Sequence, residues 1–179
     1  MSMKIAFYGG QTAGLVVLLA LQGLKHDLKV VIPDDDRIFQ IAQLFNLPIA
    51  DKTLLNTGSF TKDLSQKIDL FICCHGWKIL NKTFVTSLKC INFHPCLYKY
   101  KGLHPIARLI ADNNSRASVA THWMNEKIDS GESIVETFKK IANISGKTEA
   151  DIYNELYPLY IETLVKTLDN LEHEKQSEI

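Results

Sequence analysis

The stretch INFHPCLYKYKGLHPIARLI, residues 91–110, places an asparagine and a histidine two positions apart at the end of an apolar run. Side chains two apart on a β-strand lie on the same face. At the carboxyl end of a parallel strand, that face borders the crevice where open α/β sheets bind ligands. The spacing makes Asn92 and His94 candidate site residues. A strand-end histidine bonded only to backbone is the competing interpretation.

Short apolar runs alternate with helical patterns around this stretch. Four runs are typical of strands covered on both faces: KIAFYG, KVVIPD, IDLFICCHG and KCINFH. Two segments have helical patterns, TAGLVVLLALQGL and RIFQIAQLFN. After residue 116, ASVATHWMN and SIVETFKKIA predict two strands around a turn. The alternation predicts an α/β fold, with a mostly parallel sheet and helices on both faces.

A long final helix is predicted over about 148–173, beginning near Thr148, where TEAD resembles a capping box. We expect it to bend at Pro158. Its apolar stripe would serve either the core or a homodimer interface, and comprises Ile152, Leu156, Leu159, Leu164, Leu168 and Leu171. Because the sequence shows no repeat, low-complexity segment or linker, residues 1–179 are predicted to form one domain.

Composition is that of an ordinary globular protein, with 46% hydrophobic and 22% charged residues. Basic and acidic residues number 20 each, so no overall field favours nucleic acid or an anionic membrane. The N-terminus lacks the pattern of a signal peptide, and no apolar run reaches the roughly 18 residues of a membrane span. The four cysteines lack CxxC spacing and are interpreted as reduced: Cys73, Cys74, Cys90 and Cys96. These features predict a cytoplasmic protein.

The glycine loop FYGGQTAG follows a predicted strand and opens a predicted helix. Asp34 lies 20 residues beyond Gly14, which is close to the layout of a dinucleotide site. Gln11, however, stands where that motif needs its middle glycine, which argues against NAD. A plain turn into the helix and a site for another phosphate or ribosyl group remain open. The candidate substrate-binding residues of this loop are Gly9, Gly10, Gln11 and Thr12.

A third polar residue is needed for catalysis at the histidine. An asparagine amide can donate to a developing oxyanion, and a histidine can shuttle a proton near neutral pH. Asp129, in THWMNEKIDSGES, follows a predicted strand and is a candidate to hold or charge the imidazole. His75, His104 and His122 show no metal-ligand spacing, so we expect no metal. His122 is interpreted as structural.

The segments NFHPCLYKYKGLHPI and THWMNEKIDSGESI resemble the two signature segments of the folate-dependent formyltransferases. The resemblance covers residues 3 to about 142. It implies a Rossmann-like formyltransferase fold and transfer of a formyl group from 10-formyltetrahydrofolate to an amine. It also implies a catalytic triad of Asn92, His94 and Asp129.

The same resemblance implies two folate-binding segments and an acceptor side. The residues carried over for the folate are Trp77, Lys78, Ile79, Leu80, Asn125, Glu126 and Lys127. Tyr98, Tyr100 and His104 are candidate acceptor-binding residues. The interpretation of Trp77 stays divided between a pterin wall and an ordinary core residue.

The acceptor is the least determined part of the prediction. After its histidine the family usually reads like PSLLPKYRG, whereas PCLYKYKG is one residue shorter and lacks the second proline. This departure favours an amino-sugar nucleotide as acceptor over glycinamide ribonucleotide. We expect no tRNA-binding domain after the last helix, which argues against methionyl-tRNA as the acceptor. A formyltetrahydrofolate hydrolase and a non-catalytic nucleotide-binding module are the remaining alternatives.

Overall fold

Strands and helices alternate along the chain in the computed structural model, which describes residues 2–177. The strands are β1 (Lys4–Gly9), β2 (Asp27–Pro33), β3 (Leu70–Cys74), β4 (Cys90–Pro95), β5 (Arg116–Trp123) and β6 (Ser133–Lys140). The α-helices are α1 (Gln11–Gly23), α2 (Asp36–Leu44), α3 (Gly58–Lys67), α4 (Lys82–Ser87), α5 (Pro105–Ala111) and α6 (Glu149–Ser177). Short 3₁₀ helices span Lys52–Leu54 and Ile144–Gly146. The strands form one six-stranded sheet in the order β2-β1-β3-β4-β5-β6, which confirms the α/β prediction.

The chain divides into two compact units, residues 2–92 with 123–126, and residues 93–122 with 127–177. The prediction of a single domain over 1–179 stays a prediction.

In the first unit, β1 pairs in parallel with β2 on one side and with β3 on the other. Every residue of β3 is buried, as expected for a strand covered on both faces. The rings of Phe71 and Phe84 meet edge to face at 4.9 Å between centroids. Asp35 caps α2, its carboxylate accepting hydrogen bonds from the N–H groups of Arg37 and Ile38.

In the second unit, β5 and β6 pair antiparallel, as the sequence predicted. The capping box forms: the Asp151 N–H donates to the Thr148 hydroxyl oxygen at 3.2 Å, and the Thr148 N–H donates to the Asp151 carboxylate at 2.8 Å. Helix α6 then continues through Pro158. The predicted bend there stays a prediction.

The predicted apolar stripe of α6 is buried within the chain. Its threonines add polar anchors, because the Thr163 hydroxyl donates to the Val119 carbonyl and the hydroxyls of Thr121 and Thr167 lie 2.6 Å apart. The stripe therefore belongs to the core, and this face is not available to a second copy of the chain. No helix in the described part of the chain is long and apolar enough to cross a membrane.

Candidate functional site

His94 lies near the carboxyl end of β4 and is buried. Its Nε2 is 3.0 Å from the Asp129 carboxylate oxygen Oδ2 and 3.1 Å from the Gly102 carbonyl oxygen. Its Nδ1 is 2.8 Å from the Pro95 carbonyl oxygen. Both ring nitrogens face acceptors, and only a ring carrying two N–H groups can donate to both sides at once. His94 thus has the predicted acidic partner in addition to backbone partners.

Asp129 is held in place by its neighbours from three directions. Besides His94, its Oδ2 accepts a hydrogen bond from the Gly102 N–H at 2.9 Å, and its Oδ1 lies 3.5 Å from His122 Nε2. Asp129 has a left-handed backbone with φ 50°, and Gly102 has φ 82°. Gly102 therefore touches both members of the pair, its N–H bonding the aspartate and its carbonyl facing the histidine.

The carboxyl of Asp129 stays ionised despite its burial. Burial raises its pKa, but hydrogen bonds from His122 and His94, together with the charge of His94, lower the pKa well below its usual range. A fixed negative charge beside a buried imidazole suits general acid–base work, because it orients the ring and favours a positive charge on it.

Asn92 occupies the same strand two residues before His94. Strand alternation puts the two side chains on one face. Its part in a triad stays a prediction.

His122, which the sequence indicates as structural, is buried, and its Nε2 lies 3.5 Å from Asp129 Oδ1. This contact was not predicted from the sequence. The available signal was a histidine near the end of the strand that leads into the loop of Asp129.

Two of the three candidate acceptor residues in the second unit, Tyr98 and Tyr100, already form hydrogen bonds within the protein. Tyr100 is only 2% exposed, and its hydroxyl donates to Asp112 at 2.9 Å. A ring so enclosed packs in the core and does not wall an open pocket. The Tyr98 hydroxyl donates to the Arg116 carbonyl, while its ring is partly exposed. His104 is exposed and occupies the N-cap position of α5 with φ 55°.

Packing, backbone conformation and hydrogen bonding within the protein account for the residues of the glycine loop. A side chain at Gly9 would meet the Cys74 carbonyl oxygen at 2.7 Å, so the glycine permits close strand packing. Gln11 has the left-handed φ of 57° usually taken by glycine, and its Oε1 lies 3.1 Å from His75 Nδ1. The Thr12 hydroxyl accepts a hydrogen bond from Arg37.

The acidic residues near this loop are already engaged by the protein. Asp35 accepts the Gln11 N–H at 2.6 Å, so an internal carboxylate occupies the start of α1. Burial raises the pKa of Asp35, but the N–H groups of Ile38 and Gln11 and the Arg37 side chain lower it overall. Asp34 is bound to the Trp77 N–H and to Lys52 Nζ, both at 2.8 Å. Neither carboxylate is presented to a ribose as in a dinucleotide site.

The first predicted folate segment, Trp77–Leu80, presents apolar side chains to solvent in the first unit. The Trp77 side chain is 71% exposed and Ile79 is 68% exposed, whereas Leu80 is buried. Trp77 is therefore not a core residue. Lys78 directs its Nζ to the carbonyls of Lys52 and Thr53.

The second predicted folate segment is divided between the units. Asn125 and Glu126 belong to the first unit, where Glu126 pairs with Lys82 at 2.6 Å. Lys127 belongs to the second unit and is exposed. Among residues 2–177, no cluster of three or more histidine, cysteine or acidic side chains could hold a metal ion.

Solved structures share this fold. The phosphoribosylglycinamide formyltransferase of Anaplasma phagocytophilum superposes with a TM-score of 0.83 at 20% identity, over 98% of this chain and 89% of that one. The formyltetrahydrofolate deformylase of Pseudomonas putida superposes with a TM-score of 0.73 at 16% identity, over 93% of this chain and 64% of that one. At these identities the likeness shows the fold alone.

Curated relatives extend the comparison to sequence. A methionyl-tRNA formyltransferase of Alkaliphilus metalliredigens is 24% identical, over 99% of this chain and 62% of its own length. The chain spans about half to three-fifths of the length of such relatives. The model of the formyl transferase family matches residues 5–168, a range that includes His94, Asp129 and the glycine loop. The chain belongs to the formyl transferase family.

Proposed function

We propose that the protein transfers a formyl group from 10-formyltetrahydrofolate to the amine of a small acceptor. The observation that carries this proposal is the pair formed by the buried His94 and the half-buried Asp129, 3.0 Å apart, within the range matched by the family model. Asn92 completes the proposed catalytic set, and no metal is required.

The residue types match the chemistry of formyl transfer. When the amine nitrogen attacks the formyl carbon, negative charge develops on the formyl oxygen. The Asn92 amide and a protonated His94 would donate to that oxygen, and one such positioned donor is commonly worth ~3 kcal/mol. Asp129 holds the imidazole and stabilises its positive charge. As the old carbon–nitrogen bond breaks, the proton lost by the amine balances the proton gained by the folate nitrogen.

Donor binding is assigned to Trp77–Leu80 and to Asn125, Glu126 and Lys127. The exposed side chains of Trp77 and Ile79 support this assignment, because exposed apolar groups on an ordered segment suit a flat aromatic ring.

For the acceptor we propose an amino-sugar nucleotide first and glycinamide ribonucleotide second. The shortened loop after His94 supports this order, because it departs from the pattern usual in the family. Gly9, Gly10, Gln11 and Thr12, with Tyr98 and His104, are the proposed acceptor residues.

A panel of amines incubated with the protein and 10-formyltetrahydrofolate tests the proposal. The panel includes amino-sugar nucleotides, glycinamide ribonucleotide and methionyl-tRNA, each followed by mass for the gain of one formyl group. We expect one amine to be formylated by the native protein and not by the His94→Asn variant. Tetrahydrofolate released without any formylated amine would identify a hydrolase instead. No turnover of the donor at all would contradict the enzymatic proposal.

A further inference from the structure

We propose that Tyr8, Asp34 and Asn56 are positioning residues that hold the Trp77–Leu80 segment in its donor-binding shape. This inference rests on the proposed function, because it takes that segment as part of the folate site. All the contacts that carry it lie within the first unit.

Three consecutive residues of the segment are each fixed through the backbone by a different side chain. The Trp77 N–H donates to Asp34 Oδ2 at 2.8 Å, and the Lys78 N–H donates to the Tyr8 hydroxyl oxygen at 2.7 Å. The Ile79 carbonyl accepts a hydrogen bond from Asn56 Nδ2 at 2.9 Å.

These anchors come from separate parts of the chain. Tyr8 belongs to β1, Asp34 follows β2, and Asn56 follows the 3₁₀ helix Lys52–Leu54. The segment therefore takes its shape from the surrounding fold and not from regular structure of its own. Asn56 also accepts the Asn81 N–H at 2.8 Å, which fixes the residue after the segment.

The Tyr8 ring is fitted to the chain just before the segment. A Cβ on Gly76 would lie 2.1 Å from Tyr8 Cε1, so the backbone at Gly76 passes directly against the ring. Tyr8 is fully buried, and burial raises the pKa of its hydroxyl, which therefore stays protonated. The negative charge of Asp34 raises the pKa of the hydroxyl further, so two of the three anchors interact electrostatically.

The buried charge of Asp34 is matched within the same cluster. The Asp34 side chain is 2% exposed, and Lys52 Nζ lies 2.8 Å from its Oδ1. Lys78 closes the arrangement, since its Nζ donates to the Lys52 carbonyl at 2.9 Å. A buried carboxylate satisfied by an ammonium group and a backbone N–H is a stable anchor.

The anchors hold the backbone while the side chains of Trp77 and Ile79 remain in solvent. An ordered segment presenting apolar side chains loses little conformational entropy when a ligand arrives. Loosening the backbone should therefore weaken donor binding and leave the chemical step largely unchanged.

The test uses Tyr8→Phe in the full chain, which removes one hydroxyl and keeps the ring against Gly76. The first readout is hydrogen exchange of the Lys78 amide by NMR. The second is the dissociation constant for 5-formyltetrahydrofolate, a folate without a transferable N10 formyl group, measured by calorimetry. Tyr157→Phe is the matched control, because Tyr157 lies on α6 and stacks on Tyr153.

We expect the Lys78 amide to exchange about tenfold faster and folate to bind about tenfold more weakly in Tyr8→Phe, as for loss of one buried hydrogen bond. Asn56→Ala should also weaken folate binding. Both variants should keep kcat within about threefold of the native value, which is far less than the change expected on loss of a general acid–base residue. The control should change neither exchange nor affinity.

Unchanged Lys78 exchange in Tyr8→Phe would overturn the anchoring. Faster exchange with unchanged folate affinity would show that the segment is not a donor site, and so would overturn the inference while leaving formyl transfer intact. If the native protein binds no folate, the proposed function fails, and the inference fails with it.

Discussion

Replacing Asp129 with asparagine tests the candidate active site most directly. The substitution preserves size but removes a charge that faces the Gly102 N–H at 2.9 Å, His94 Nε2 at 3.0 Å and His122 Nε2 at 3.5 Å. An asparagine also brings two N–H donors toward groups that are themselves donors. The amide can therefore replace only part of the network.

The expected loss follows from these contacts. A hydrogen bond to a charged group contributes roughly 1.5–3 kcal/mol, and about 2.7 kcal/mol of lost transition-state stabilisation corresponds to a ~100-fold slower reaction. We expect turnover in Asp129→Asn to fall by at least ~100-fold, while folate affinity changes much less. His94→Asn should be similarly damaging, and the double variant should lose far less than the product of the two effects.

Steady-state and single-turnover assays with the acceptor found in the amine panel measure this loss. Asp63→Asn is the matched control, since Asp63 is a half-exposed residue of α3 paired with Lys67. Its turnover should match that of the native protein. If Asp129→Asn folds normally and keeps most of its turnover, Asp129 is not catalytic and the triad is wrong.

Three further expectations concern pH and two glycines. Because the pKa of Asp129 is lowered in the folded state, its charge stabilises the fold above the ordinary aspartate pKa of about 3.9. The difference in unfolding free energy between the native protein and Asp129→Asn, measured with urea, should be full at pH 6 and shrink as pH falls below about 4. A difference that stays constant with pH would contradict the pKa shift. Gly10→Val should raise the Michaelis constant for the acceptor more than that for the folate donor, since a Cβ there meets Asp34 Cβ at 3.2 Å beside the proposed acceptor loop; equal rises would place the acceptor elsewhere. Gly76→Ala should destabilise the fold by about 1–3 kcal/mol in thermal unfolding, because the new methyl group collides with the Tyr8 ring. Gly58→Ala is the control, because a Cβ at Gly58 meets nothing within 4 Å. Equal stability of the two variants would refute the close packing of Gly76 against Tyr8.

Local patterns in the sequence were sufficient to predict the six strands and the helices α1, α2 and α6. Apolar runs predicted β1 and β3, and the spacing of Thr148 and Asp151 predicted a capping box, because both depend on neighbours within one element. The pairing of His94 with Asp129 was implied by the family resemblance. Residue spacing alone did not distinguish this pairing from a strand-end histidine bonded only to backbone.

The remaining contacts join residues whose sequence positions carry no mutual signal. Tyr8 and Lys78 are 70 residues apart, and their hydrogen bond joins β1 to the segment that follows β3. Tyr100 was expected beside the acceptor because aromatic rings suit bases and sugars, but its hydroxyl reaches Asp112 and its ring is enclosed.

The two backbone contacts of Gly102 have a consequence for the loop that precedes it. Its N–H bonds Asp129 and its carbonyl faces His94, so Gly102 fixes the far end of the loop that begins after His94. We expect a mutation that lengthens, shortens or decorates this loop upstream of Gly102 to leave these two contacts in place. Under the proposed function, acceptor choice would then change along the loop while His94 and Asp129 keep their positions.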